Sequence, residues 1–429
     1  MRKILAYGLL AVLVAAACVK TPSGEDASSQ EIFFCVRSPY SLQVDTKSRL
    51  NFSNTDFSAL SDSAIGLSAV YLPDGVNYPG TDLIFPAPYF LNRPIRHDMD
   101  NSASIGSTLA ENDPLRVGLD SRAWAAQPGV IWPYSGQLSF FAYAPYREEM
   151  NTGAPLVVSE RGVYFRPEED PKEQVDLVAG VTLDQTRNSL ATFYSSREFV
   201  DLTLYHCLTW VDFQARVRID TENFADKAAL DTWYHANGLD NCKIGVAGVK
   251  LSGILASNNA TWTTTGLVWG EPPVSRDTTS YELSMEEGTL LSVADGYLIY
   301  DENNLGSLHS YQDITVGHRG GETTEGYLYL LPHTLLSGAT RATLTVDYGI
   351  YTPTGENDSF EPRLMYQKVF NISELADSKN VWEAGKRVIY QMTLDITKAS
   401  NCTVEAHVED WTDAGNNYNN DGKTHDYLE

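Results

Sequence analysis

The chain has 429 residues, of which 43% are hydrophobic, 20% charged and 11% aromatic. This is a globular composition, too apolar for a disordered chain and too evenly mixed for a fibrous one. An excess of 56 acidic over 31 basic residues gives a formal net charge of −25. Such a charge repels phosphate backbones and argues against nucleic acid as a partner. At roughly 150 residues per domain, the length predicts two or three domains.

The N-terminus has the features of an export signal. A positively charged start precedes an apolar run, Ile4–Ala17, that is too short for a comfortable transmembrane helix. The run ends in three alanines before Cys18, which resembles the lipobox of bacterial lipoproteins, where cleavage frees the cysteine for lipid attachment. We therefore expect residues 1–17 to be a signal peptide and Cys18 to carry lipid such as palmitate. An ordinary secretory peptide with a chance cysteine is the alternative.

The remaining cysteines give no metal motif. Cys35, Cys207, Cys242 and Cys402 fit neither a zinc nor a CxxC spacing. An exported protein can form disulfides, and four thiols allow three pairings that the sequence does not distinguish. Buried free thiols are an equal alternative.

Strand patterns dominate the chain after a polar tether, which we place at residues 18–30. The predicted strands include apolar runs at 32–36 and 64–72, a fully buried strand at 138–143, and alternating segments at 244–251, 342–348, 388–396 and 403–409. Residues 413–429 are too polar to pack and predict a fraying tail.

The strand pattern predicts an all-β protein of two tandem antiparallel β-sandwich domains, at 31–220 and 242–412. The stretch after Val200 changes its alternation phase at Val211, which predicts a β-bulge or a tight corner. His206 falls within the first phase and is expected to be a core or rim residue. Weaker patterning at 221–241, with a hint of a short helix, indicates the connecting segment.

The sequence contains no familiar catalytic motif. GxSxG, HExxH, P-loop and GxGxxG patterns are all missing, and the eight histidines lack metal-ligand spacing. Acidic pairs such as Glu168-Glu169 stand in polar stretches typical of solvated loops. We therefore expect a protein that is not an enzyme and has no catalytic site, metal site or cofactor.

A series of segments resembles the motifs of fimbrillins and follows the same order. Ile131-Trp132-Pro133-Tyr134 and the later Ala142-Tyr143-Ala144-Pro145-Tyr146 are similar to the strand that is characteristic of that family. The further segments are 176–179, 200–217, 328–333, 382–385 and 408–411. The resemblance covers most of residues 31–412. It implies a precursor of type V pili with two transthyretin-like, Greek-key sandwiches.

The resemblance also implies a route of assembly. In fimbrillins the lipoprotein reaches the surface of the outer membrane, and an arginine-specific protease cuts after the first strand. A neighbour's C-terminal strand then fills the open groove. The implied partners are other fimbrial subunits, the processing protease and the outer membrane, which is contacted through the lipid. We place a detachable edge strand at 31–40 and the cut at Arg49 in the polar loop after it; the alternatives are a cut at Arg37 or no processing role for Arg49.

Strand exchange of this kind is β-augmentation, in which alternate side chains fill pockets. The candidate residues are Ile32 and Phe34 in the first strand and Val404, Ala406 and Val408 in the last. Ordinary internal strands are the alternative. A disulfide at the neighbouring Cys35 would prevent release of the first strand, so we predict that this residue is a free, buried thiol.

The function predicted from these features is a structural or tip subunit of cell-surface fimbriae that mediates adhesion. The polar tail favours a tip or anchor position over the stalk. A monomeric glycan-binding lipoprotein is the alternative, with Trp262, Trp269 and Tyr281 as candidate sugar-stacking residues, unless these pack in the second sandwich. A lipid-anchored hydrolase would require scattered acids to converge in space.

Overall fold

Strands form most of the chain wherever the structure describes it. The computed structural model describes residues 32–37, 65–78, 88–97, 124–126, 128–148, 155–171, 173–187, 192–194, 197–218, 224–225, 227–238, 243–272, 275–284, 290–292, 312–313, 316–319, 322–325, 328–337, 341–355, 360–375, 380–395 and 401–411. Among these residues, 27 strands accompany one α-helix and one short 3-10 helix. The all-β prediction is therefore confirmed.

The elements are numbered in chain order. The first strands are β1 (Phe33–Arg37), β2 (Ile65–Leu72), β3 (Pro88–His97), β4 (Trp124–Ala126), β5 (Gln137–Ala144), β6 (Leu156–Val158), β7 (Gly162–Phe165), β8 (Val178–Gln185), β9 (Thr192–Tyr194), β10 (Arg197–Thr203), β11 (Tyr205–His206) and β12 (Thr209–Arg218). Helix α1 (Lys227–Ala236) follows them. The later strands are β13 (Lys243–Leu255), β14 (Asn258–Thr263), β15 (Gly266–Trp269), β16 (Thr278–Ser284), β17 (Leu290–Ser292), β18 (Gln312–Asp313), β19 (Val316–Arg319), β20 (Glu322–Glu325), β21 (Leu328–Leu330), β22 (His333–Thr334), β23 (Thr343–Pro353), β24 (Phe360–Asn371), β25 (Val381–Trp382), β26 (Lys386–Asp395) and β27 (Asn401–Asp410), with the 3-10 helix at Ile372–Glu374.

The first sheet has nine strands in the order β11-β8-β5-β2-β3-β4-β1-β10-β9 and curls back on itself. β10 and β11 stand near opposite ends of this order, yet only Leu204 separates them in the chain. At Gly180 of β8, a Cβ atom would lie 1.9 Å from the carbonyl oxygen of Thr203 in β10, so only glycine fits this approach. The curled sheet encloses a core that includes apolar residues of β1, β2, β5 and β10.

The later strands form a two-layer sandwich. One layer has the order β18-β12-β26-β27, with β21 also on β12, and the other has the order β16-β13-β23-β24, with β17 also on β13. Between them lies a core that includes Phe213, Leu251, Val346 and Tyr390. Antiparallel pairing dominates as predicted, but β1 with β10 and β12 with β26 are parallel pairs.

Strand β12 belongs to the second sandwich, whereas the sequence analysis assigned it to the first domain. It pairs with β26 from Trp210 to Arg218, while β11 pairs with β8 of the first sheet. The chain therefore crosses between the two units before Thr209, ahead of the predicted boundary at residue 220. The change of alternation phase marks this crossing, because each sheet buries its own face of the strand.

A third apolar cluster joins the two units. A four-stranded sheet, β15-β14-β7-β6, combines strands from both halves of the chain. The cluster beside it includes Phe141, Trp210, Trp262 and Trp411. The connecting segment also packs, since Trp233 of the predicted short helix α1 lies against the core of the second sandwich.

Most predicted strands are found near their predicted positions. β5 covers the predicted buried strand, and every residue from Gln137 to Ala144 is buried. β27 shows the predicted alternation, with Cys402 and Ala406 buried and Glu405 exposed between them. The polar tail predicted at 413–429 lies outside the described residues.

The buried side chain of His333 should make the free energy of unfolding depend on pH. The ring of His333 packs edge-on against Trp382 at a centroid distance of 5.3 Å, and Nδ1 lies 2.7 Å from the Leu331 carbonyl oxygen. Burial, only partly opposed by the hydrogen bond to Leu331, lowers the pKa of His333 from 6.5 to about 4. The unfolded chain therefore binds more protons between these values, and stability should decline by roughly 3 kcal/mol as pH falls from 6.5 to 4.

The variant His333→Asn tests this dependence, because an amide Nδ2 can replace the Nδ1 donor but does not titrate. We expect the free energy of unfolding, measured with urea, to fall between pH 7 and pH 4 in both proteins. The fall should be smaller in the variant by about 3 kcal/mol, which is the contribution of His333. Equal losses in the two proteins would contradict the assignment of this effect to His333.

Candidate functional site

Strand β1 lies inside the first sheet. On one side it pairs in parallel with β10, from Phe33 opposite Phe199 to Arg37 opposite Thr203. On the other side Phe33 and Phe34 pair with β4 in antiparallel register. The edge position predicted for the segment 31–40 is therefore wrong. An apolar run alone does not distinguish an edge from an inner strand, because that difference lies in the neighbouring backbones.

The side chains of β1 and the residue before it fill the core of the first sheet. Ile32, Phe34 and Val36 are 1%, 0% and 1% exposed. The Phe34 ring meets Phe140 edge-on, with centroids 5.4 Å apart and planes at 80°. Phe140 in turn meets Trp132 at 6.2 Å and 90°. Burial of three such side chains contributes roughly 5–9 kcal/mol before the cost of ordering the strand.

We call the space that Ile32, Phe34 and Val36 fill between β4 and β10 the β1 slot. β10 and β4 form the two walls of the slot. β10 pairs with all five residues of β1, whereas β4 pairs with two of them. The Ile32 amide also donates to the Val130 carbonyl at 2.8 Å. Withdrawal of β1 would leave unpaired backbone groups on both walls above an open apolar core. A strand that entered the slot would therefore be hydrogen-bonded on two sides.

The C-terminal candidates lie elsewhere, in the second sandwich. β27 is an edge strand that pairs along its whole length with β26. Val404 and Ala406 are buried in the second core, whereas Val408 is 39% exposed. The structure therefore places the first-strand and last-strand candidates in two different cores.

The free edge of β27 is partly closed by a lysine. The Lys368 ammonium, from the edge strand β24 of the facing layer, donates to the carbonyl oxygen of Cys402. Lysines at such positions protect sheet edges from pairing with another chain.

The end of β27 is fixed by a stack of rings that we call the Trp411 clamp. Trp411 lies parallel to His206 at a centroid distance of 3.8 Å and parallel to Tyr329 at 5.6 Å. His206 Nδ1 lies 2.6 Å from Asp176 Oδ2, and both side chains are buried. The Trp411 amide donates to the Gly385 carbonyl at 2.9 Å. The prediction that His206 is a core residue is confirmed.

Two of the cysteines that could tie β1 to the rest of the chain by a disulfide are not bonded to it. Cys207 and Cys402 are free, buried thiols. Burial raises the pKa of Cys207 and raises that of Cys402 to about 12, so neither thiol is reactive at neutral pH. The side chains of Cys35 and Cys242 lie outside the described residues. Two of the three conceivable partners of Cys35 are thus excluded.

The processing candidates fall largely outside the described residues, as Cys18 and Arg49 both do. Arg37 is the last residue of β1 and pairs with Thr203. A protease needs an extended, accessible backbone, which a paired strand inside a sheet does not offer.

Two of the proposed sugar-stacking residues are buried, and the third is half-buried. Trp262 is 3% exposed and Tyr281 is 1% exposed. The Trp269 indole packs against the third cluster and donates to the Cys207 carbonyl at 2.6 Å. Tyr281 packs in the second sandwich, as the alternative in the sequence analysis expected, whereas Trp262 and Trp269 pack in the third cluster instead.

The described part of the chain has neither a cluster of metal-ligating side chains nor a membrane-spanning helix. No group of three or more His, Cys, Asp or Glu side chains there is arranged to hold a metal ion. Nor does that part contain a helix long and apolar enough to cross a membrane.

A buried ion pair is the polar feature that the sequence analysis missed. Arg387 of β26 and Asp212 of β12 are 5% and 0% exposed, and Arg387 Nε lies 3.1 Å from Asp212 Oδ2. The guanidinium also contacts Glu409 at 3.0 Å and lies over the Trp210 ring at 4.3 Å. Nothing in the local pattern links two residues that are 175 positions apart.

The fold and the β1 slot define a class of protein: an all-β protein in which a curled sheet, with β1 as an inner strand, is joined to a two-layer sandwich. Comparison with known families identifies the family within this class. The fimbrillin-like family model matches residues 98–411, and the chain belongs to that family.

The chain is also similar to solved structures of proteins from Bacteroides species. A fimbrial protein from Bacteroides vulgatus is 18% identical, with a TM-score of 0.46, and the alignment covers 89% of this chain and 99% of that one. A cell adhesion protein described as putative, from Bacteroides uniformis, is 14% identical, with a TM-score of 0.42 and the same coverage. A search of curated proteins gave no match.

Proposed function

We propose that this chain is a subunit of a cell-surface fimbrium that assembles by strand exchange at the β1 slot. The observation that carries the proposal is the position of β1, a five-residue strand between two others, whose buried side chains complete an apolar core. Membership of the fimbrillin-like family supports the fimbrial role. Removal of β1 would create a two-walled groove, which offers an incoming strand more hydrogen bonds than an exposed edge.

The precursor in this proposal is a lipoprotein of the outer membrane, anchored through Cys18. An arginine-specific protease then cuts at Arg49, between β1 and β2, and detaches β1 from the rest of the chain. Arg37 is a poorer site because its backbone is paired with β10. A strand from a neighbouring subunit replaces β1 and links the two subunits.

The substitution Arg49→Ala tests the processing step. An arginine-specific protease should release from the purified protein an N-terminal fragment that ends at Arg49, seen on a denaturing gel, and Arg49→Ala should abolish that cut. Arg37→Ala is the matched control and should be cut like the parent. A cut that persists in Arg49→Ala and disappears in Arg37→Ala would move the site to the end of β1.

A second candidate role is the filament anchor, a subunit that keeps its lipid and first strand permanently. The inner position of β1 favours this role, because its release must break pairing on both sides. Size-exclusion chromatography of the cut protein, mixed with an excess of a labelled peptide of residues 31–37, distinguishes the two. Exchange predicts that the peptide displaces the β1 fragment, whereas an anchor retains the fragment.

A further inference from the structure

We infer that the β1 slot selects a donor strand with an aromatic residue at the middle of three alternating apolar positions, a pattern that the last described strand of this chain, β27, lacks. The inference rests on the proposed strand exchange and adds the chemistry of the partner. It follows from the shape of the slot and from what the chain's own strands could place there.

The middle of the slot is shaped for an aromatic ring. Phe34 has no exposed surface and meets Phe140, which is itself fully buried and backed by Trp132. Phe140 belongs to β5, whose residues are all buried, so this wall cannot easily move inward. A small side chain at the middle position would leave a cavity of about the volume of a benzene ring.

The outer positions accept branched aliphatic side chains. Ile32 and Val36 are each 1% exposed and stand two residues from Phe34 on either side. The β10 wall fixes the length of the entering segment, since it pairs along five residues. The slot therefore requires an aliphatic, an aromatic and a second aliphatic residue at alternate positions.

The chain's own last strand does not meet this requirement. The alternating apolar residues of β27 are Cys402, Val404, Ala406 and Val408. Any register of this strand places valine or alanine where the slot holds Phe34. The Trp411 clamp also fixes the end of β27 in its place beside β26.

The sequence after β27 offers no better candidate. Trp411 has Glu409 and Asp413 as its alternate neighbours, and the two tyrosines of the tail are flanked in the same way by polar residues. The pattern does occur at Val388, Tyr390 and Met392 of β26 and at Val346, Tyr348 and Ile350 of β23, but both strands are paired on both sides. Neither the last strand nor these inner strands can therefore serve as the donor in this fold.

Peptide exchange tests the inference on the full chain. A specific protease site placed between β1 and β2, within residues 38–64, allows β1 to be detached, and the uncut protein serves as the control. Labelled peptides would carry residues 31–37, the same segment with Phe34→Ala, residues 401–410, and residues 401–410 with Ala406→Phe. Serine replaces cysteine in each peptide, and fluorescence anisotropy reports binding.

We expect the 31–37 peptide to bind only the cut protein, and Phe34→Ala to weaken its binding about 100-fold or more. The 401–410 peptide should fail to compete, whereas its Ala406→Phe form, which reproduces the aliphatic–aromatic–aliphatic pattern, should gain binding. Equal affinity of the 401–410 and 31–37 peptides would overturn the selectivity but leave strand exchange intact. Failure of the 31–37 peptide itself would overturn strand exchange, and this inference with it.

Discussion

Replacement of Arg387 by methionine should lower the free energy of unfolding by about 3–5 kcal/mol. The side chain is buried beside Asp212, which has no exposed surface. Removal of the guanidinium would leave a carboxylate in the interior without its compensating charge. It would also remove the cation–π contact with Trp210 at 4.3 Å.

A matched control is available one residue earlier in the same strand. Lys386 pairs with Asp410, and the two side chains are 33% and 71% exposed. Because water screens this pair, Lys386→Met should change stability by less than about 1 kcal/mol. Urea unfolding of both variants compares the same substitution in a buried and an exposed ion pair.

A double variant separates the lost charge from lost packing. Arg387→Met combined with Asp212→Leu removes both buried charges, while Glu409 keeps access to water. Apolar replacement of a buried pair is often neutral or stabilising, so the double variant should recover most of the stability. A double variant as unstable as Arg387→Met alone would show that packing, not charge, carries the effect.

Alternation was sufficient to find most strands, since one buried face imposes a period of two on the sequence. β5, β23, β26 and β27 were predicted near their observed positions for this reason. Sheet membership was not predictable in the same way. β12 carries a clean alternating pattern, but the layer that buries it depends on its pairing with β26, which is far away in the chain.

The sequence predicted which residues form the candidate site but not where their strand lies in the sheet. Ile32 and Phe34 are buried in the first core, yet β1 is an inner strand instead of the expected edge. An apolar run shows that a strand is buried but not whether it is paired on one side or two, because that depends on neighbours far away in the chain. The clamp around Trp411 and the Arg387–Asp212 pair were not predictable, because their members meet only through tertiary packing.

Replacement of Trp411 by alanine should destabilise the protein by about 3–5 kcal/mol, the usual range for loss of a buried indole. Trp411 is 1% exposed, and its neighbours come from both units: His206 from the first sheet, and Tyr329 and Trp210 from the second sandwich. Its loss should therefore weaken the junction between the units as well as the end of β27.

Hydrogen exchange distinguishes this local effect from a uniform loss of stability. In Trp411→Ala, amides of β27 should exchange faster relative to the parent than those of β5, because the clamp fixes the end of this edge strand. Trp411→Phe keeps a ring between His206 and Tyr329 and should retain much of the protection. Tyr134→Ala, at a fully exposed position, should leave stability within about 0.5 kcal/mol. If Trp411→Ala matched the Tyr134→Ala control, β27 would be held by its pairing with β26 alone, and release of this strand as a donor would meet a lower barrier than the clamp implies.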